Sequence, residues 1–306
     1  LSGATNMLHY PEYADMNKAK SFLAAVEGRS MLYEMLKRAN KLGSDRIVAG
    51  RSLLIPVCGS SPAGAAEPVI ASTNWRESGV DSKTLPRLMR ARGFSAPSGF
   101  KAFVISVRFD EDRSRVLSER AYDWNGSSDD SDGWNPASSV KLFAAIAALQ
   151  KTSSLGFSPD VRVTFHGRRT ASTSLRQLVN DAIVASDNIA YDRLVQLVGF
   201  DELNERFLSS DNGLPRSALT RAYEQKRWTG MGESASFRST PALSLVENEL
   251  SAELPATTGN ARLACQRAAC TTLQDLAEAM RRLMLQEQLG DAASFALPQE
   301  SLQTLR

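Results

Sequence analysis

Apolar residues recur at three- and four-residue spacing over 138–150, 175–184, 189–198, 201–208 and 272–287, and each run predicts a helix packed by one face. The first run differs from the rest. Ser138 to Leu149 reads SSVKLFAAIAAL, apolar almost all the way round, as a helix buried within a domain would be. Upstream, Phe103 to Phe109 and Arg115 to Tyr122 have strand composition and flank the charged turn Asp110 to Ser114, which predicts an antiparallel hairpin. Between Leu208 and Thr271 the pattern is irregular, with one short helix expected near Ala242 to Leu250. Connections that long usually carry function or are disordered.

The N-terminal part has its own pattern. Residues 32 to 56 read as an amphipathic helix, a turn at Gly43, Ser44 and Asp45, and a short apolar strand ending at Pro56. Residues 58 to 71, CGSSPAGAAEPVIA, are small and aperiodic, as a linker is. The expected organisation is therefore an N-terminal region over 1–57, a linker over 58–75 and a main domain over 76–306. Ala39 to Pro56 resembles the second half of a LysM module, with Asn40, Gly50 and the closing Leu53-Leu54-Ile55-Pro56 at matching places. Val26 to Ser30 stands where that fold's Gly-Asp-Ser would be, with Arg29 in place of the acid. The resemblance implies glycan binding; an ordinary helix and strand is the competing reading.

Composition narrows the classes. The 306 residues suffice for two domains, or for one large domain with an appendage. With 42% hydrophobic and 23% charged residues and a net charge of +2, neither a disordered chain nor a phosphate-driven nucleic-acid binder is expected. No apolar run approaches the roughly 20 residues that cross a bilayer, so no transmembrane segment is expected. The sequence opens on Leu1, which leaves a preceding signal peptide and a secreted origin open. Three cysteines lack zinc-site spacing, and Cys265 with Cys270 reads either as a small disulfide loop or as two thiols. Asp129, Asp130 and Asp132 lack the spacing and glycine of a calcium loop and read as a solvated turn. Of the two histidines, His166 reads as a polar strand end, and no G-x-S-x-G serine is available to it. No phosphate-binding glycine loop occurs, so no nucleotide cofactor is expected, and the cysteine spacing leaves no structural metal expected either.

The chemistry concentrates on the buried helix. Lys141 is its one charge, and a buried ammonium either finds a partner or loses its proton, its pKa depressed by desolvation and by the helix dipole. Ser138 lies one turn earlier on the same face, within hydrogen-bond reach of the amine, as a nucleophile with its activator would. A short S-x-x-K pattern also fits a helix cap beside a solvent-seeking lysine. The added context is Asn135-Pro136-Ala137 before the pair and Ser186-Asp187-Asn188 between two later helices.

With these motifs, roughly Phe100 to Arg306 resembles the penicillin-recognising serine enzymes, the class A β-lactamases and D,D-peptidases. The resemblance implies an α/β (α+β) β-lactamase/transpeptidase-like fold, an antiparallel sheet plus a helical domain. It implies acylation of Ser138 by a β-lactam or a D-Ala-D-Ala stem peptide, proton transfer by Lys141, a proton relay through Ser186 and binding of the substrate amide by Asn188. Asp187 reads as the cap of the helix that follows it, and Thr271 to Met284 resembles the helix after the family's Ω-loop. The family's K-T-G is not found after Met284, so its C-terminal strands are expected to be missing from the chain or the site to be incomplete. Lys151-Thr152-Ser153 follows directly on the Ser138 helix and cannot serve in its place. For the family's deacylating glutamate the nearest match is Glu247, in Glu247-Asn248-Glu249-Leu250; an exposed helical glutamate is the alternative. The expectation is thus a periplasmic or extracellular serine hydrolase. Its rival is an inactive protein of the same fold that binds peptidoglycan.

Overall fold

The computed structural model describes residues 25–26, 29–30, 75–130, 136–167, 170–219, 238–263 and 269–305. The chain divides into two units, Leu1–Ala71 and Ser72–Arg306. Of the first, the described residues form the antiparallel strands β1 (Ala25–Val26) and β2 (Arg29–Ser30). The helix, turn and strand expected over 32–56, the rest of the LysM-like segment and the expected linker stretch 58–71 lie outside the described residues.

The second unit opens with α1 (Trp75–Ser78), β3 (Val80–Asp81) and α2 (Thr84–Ala91), then the hairpin β4 (Phe103–Phe109) and β5 (Val116–Asp123). Ile105 pairs with Ala121, and β3 joins β5 in parallel, giving the order β3-β5-β4. The expected hairpin is present because β4 alternates: Phe103, Ile105, Val107 and Phe109 are half-buried, while Val104, Ser106 and Arg108 face out.

A 3₁₀ turn over Ala137–Val140 leads into α3 (Lys141–Ser154), the axis of the helical part. Phe143, Ile146 and Leu149 of α3 are fully buried, in one core with Leu175, Leu178, Leu194 and Leu302. Those neighbours come from α4 (Leu175–Ile183), α5 (Asn188–Val198) and α8 (Gln299–Leu305), which pack around α3. Side-chain caps fix where these helices start. Ser174 accepts from the Gln177 N–H at 3.2 Å ahead of α4, and Asp187 accepts from the Ala190 N–H at 2.6 Å ahead of α5. The expected helix over 201–208 is a π-helical turn over Glu202–Phe207.

β6 (Arg162–His166) and β7 (Ala171–Ser174) follow α3, and β8 (Ala218–Leu219) follows the π turn. Then come β9 (Ser239–Thr240), β10 (Ala242–Glu247), β11 (Leu250–Leu254), β12 (Thr257–Thr258) and β13 (Ala269–Cys270). The helix expected near Ala242 to Leu250 is instead a hairpin, extending β6 and β7 into the sheet β11-β10-β6-β7. The reason is tertiary: Leu243 and Leu245 alternate into the core opposite Phe165 and Val163, a pairing that a short apolar run does not reveal by itself. β13 pairs with β8, Ala269 opposite Leu219. The chain then continues into α6 (Leu273–Met284) and α7 (Gln286–Leu289). The architecture is α+β, and among the described residues no helix is long and apolar enough to cross a membrane.

Candidate active site

Ala137, just before Ser138, has φ 47°, a left-handed conformation in which a side chain is strained by about 1–2 kcal/mol. It turns the chain out of Pro136 into the 3₁₀ turn that carries Ser138, and Ser139 Oγ donates to the Pro136 carbonyl at 2.6 Å across that turn. Ser186 has φ 55°, so a second left-handed residue lies where α4 hands over to α5. Strain of this kind persists only where surrounding packing dictates it, and it clusters at functional sites.

Lys141 connects the two places. It is the first residue of α3 and 1% exposed. Its Nζ donates to the Ser186 carbonyl oxygen and, at 3.1 Å, to Ser186 Oγ. Burial drives its pKa down to about 8, while the Asp187 carboxylate pulls the other way. Asp187 thus caps α5 and holds a negative charge within reach of the ammonium. Asn188 is the first residue of α5, two positions beyond Ser186. Packing of α3 on α5 brings Lys141, Ser186, Asp187 and Asn188 together, with half-buried Ser138 one turn ahead of Lys141.

Glu247 is elsewhere. It ends β10, and its carboxylate accepts from the Ser158 N–H at 2.8 Å and from the Ser158 hydroxyl. Ser158 lies past the C-terminus of α3 and Ser138 before its N-terminus, and fourteen helical residues separate them, about 21 Å of helix. Glu247 therefore ties a hairpin to a loop and does not reach a water at Ser138. Asp129 and Asp130 are likewise engaged with Arg216 at 3.2 Å and with Lys101, and His166 ends β6 as expected.

The sequence pattern did not single out Glu119, Asp275, Glu278 or Arg281, which the structure buries. β13 lies alongside the 3₁₀ turn of Ser138, and Cys270 within it is disulfide-bonded; Cys58 and Cys265 lie outside the described residues. Just after β13, Thr272 caps α6, while buried Asp275 accepts from the Arg216 N–H and the Ser217 hydroxyl, both at 2.8 Å. Burial holds the Asp275 carboxyl above the ordinary range. Further along α6, Arg281 meets Glu119 of β5 at 2.6 Å and Glu278 at 3.1 Å, and Trp75 Nε1 donates to Glu278 at 2.8 Å. For Asp275, Glu278 and Arg281 the sequence signal was three polar residues at three-residue spacing along α6.

A family model described as the beta-lactamase enzyme family matches residues 125–303, more than half of the chain. The chain belongs to the beta-lactamase enzyme family. No curated protein and no solved structure matches it. The match takes in the 3₁₀ turn, all of α3 and the loop into α5. Membership gives the chain a function of the serine hydrolase type, in the α+β frame already described.

Proposed function

We propose that this beta-lactamase family protein is an acyl-transfer enzyme that takes β-lactams or D-Ala-D-Ala stem peptides onto Ser138. The observation that carries the reading is the buried Lys141 amine bonded to Ser186 and one turn from Ser138. In its neutral form the amine accepts the Ser138 hydroxyl proton as Oγ attacks the carbonyl carbon. The carbonyl C–N bond then breaks, and the nitrogen receives a proton from the Lys141 ammonium through Ser186 Oγ, leaving an ester on Ser138. With a pKa of about 8, roughly one amine in ten is neutral at pH 7. Asn188, the first residue of α5, binds the amide of the substrate. Glu247 takes no part in hydrolysis of the ester. The disulfide at Cys270 supports an oxidising compartment, the periplasm or the exterior.

Incubation with a fluorescent penicillin tests this. Covalent labelling that disappears in Ser138→Ala is the expected result, and a wild-type chain that never labels overturns it in favour of a non-catalytic peptidoglycan binder. Turnover of a chromogenic cephalosporin then separates fast hydrolysis from slow deacylation.

A further inference from the structure

We propose that the chain pairs with a second copy of itself along the outer edge of β11. That strand ends the sheet β11-β10-β6-β7, and no other strand among the described residues pairs with it. Edge strands are ordinarily blunted by charged side chains, lysine above all, by proline, by a bulge or by being short. Leu250-Ser251-Ala252-Glu253-Leu254 is short and carries one exposed charge, Glu253, but it has neither lysine nor proline, pairs with β10 without a register shift, and leaves Leu250 55% exposed.

The edge is complementary to itself. Its order is symmetric in character about Ala252, so an antiparallel copy related by a two-fold axis there sets Leu250 opposite Leu254, Ser251 opposite Glu253 and Ala252 opposite Ala252. Leu254 and Ala252 already lean on the core from the inner face, where Leu254 pairs with Leu243. Leu250 of the second copy would continue that apolar row and lose its exposure to water.

The backbone selects the same register. Glu247 and Leu250 close the two-residue turn Asn248–Glu249, and in such a turn the closing residues exchange hydrogen bonds. Alternation then turns the N–H and C=O groups of Leu250, Ala252 and Leu254 toward β10, and those of Ser251 and Glu253 outward. In the two-fold arrangement Ser251 and Glu253 become the hydrogen-bonded pairs, and Ala252 meets its copy at the close, non-hydrogen-bonded position. A slip of one residue puts Leu250 on the polar face, and a slip of two leaves a leucine uncovered. Five residues make a small interface, so the dimer is weak and depends on concentration.

Sedimentation velocity of the full chain from low to high micromolar concentration should show the 33.3 kDa species giving way to one of twice that mass. Ser251→Pro removes an outward donor and no bond to β10, so it should abolish the dimer at an unchanged melting temperature; Leu250→Lys should do the same. Ala252→Cys should form an inter-chain disulfide, since close antiparallel pairs hold their Cα atoms about 4.5 Å apart. Val246→Cys, exposed on β10, should cross-link no more than wild type. The cysteine readout stands even if Ser251→Pro fails to fold. Three results would overturn the proposal: a monomer at every concentration, a dimer indifferent to both edge variants, or equal cross-linking of the two cysteine variants. A monomer whose Ser251 and Glu253 amides resist exchange would show another segment of the same chain on the edge, and overturn it likewise.

Discussion

At the scale of single residues, Lys141 carries the testable chemistry. If its amine is the base, acylation of Ser138 rises with pH and levels off above about 8, which penicillin-labelling rates across a pH series would follow. The same group leaves a mark on stability. Its folded pKa of about 8 lies below the ordinary 10.5, so between those values the unfolded chain binds more protons and stability climbs with pH. Below that window the burial cost is complete, about 3 kcal/mol. Urea unfolding on either side of the window should show this climb in wild type and none in Lys141→Met. A second residue-scale case is Gly259, where an added Cβ would fall 2.4 Å from Asp201 Oδ1 and 2.7 Å from the Phe200 ring. That carboxylate accepts the Asn260 and Ala261 N–H groups at 2.7 and 2.8 Å. Gly259→Ala should lower the urea midpoint by the equivalent of about 1–3 kcal/mol, the cost of overpacking.

At the scale of elements, the buried Glu119–Arg281–Glu278 group joins β5 to α6 beside Trp75. Removing its cation leaves two carboxylates unpaired in the interior, so Arg281→Met should cost about 3–5 kcal/mol. Adding Glu119→Leu should recover part of that, a coupling that a double-mutant cycle measures. Glu247 makes the contrasting case. Glu247→Gln should lower stability by about 1 kcal/mol through the weakened bonds to Ser158, while the release of bound penicillin keeps its rate. Helices α3, α4, α5 and α6 were legible because each runs long at one period, and three of them begin at a Ser, Asp or Thr cap. The hairpin of β10 and β11 was not, since Glu-x-x-Leu after an apolar run suits a helix as well as a two-residue turn. Asn248, with φ 53°, was the one local sign of that turn.

At the scale of the whole molecule, the site exists because separate segments converge: the turn at Ser138, the head of α3 and the loop into α5, with β13 alongside the turn. β13 is held by β8 and by the Ser217–Thr271–Asp275 bonds, which anchor it beside the turn of Ser138. The sequence by itself determined what depends on near neighbours: the spacing of Ser138 and Lys141, the apolar surround that forces the amine out of water, the Asp187 cap, and the hairpin of β4 and β5. Helical period, capping and turn chemistry act within a few residues, so they can be read along the chain. Only the tertiary structure decided that the amine meets Ser186, forty-five residues on, and that Glu247 lies at the opposite end of the same helix. Those pairings follow from which faces pack together once the core closes; the Ser186-Asp187-Asn188 motif marks Ser186 along the chain without showing what it meets, and nothing local tells which group Glu247 will bond.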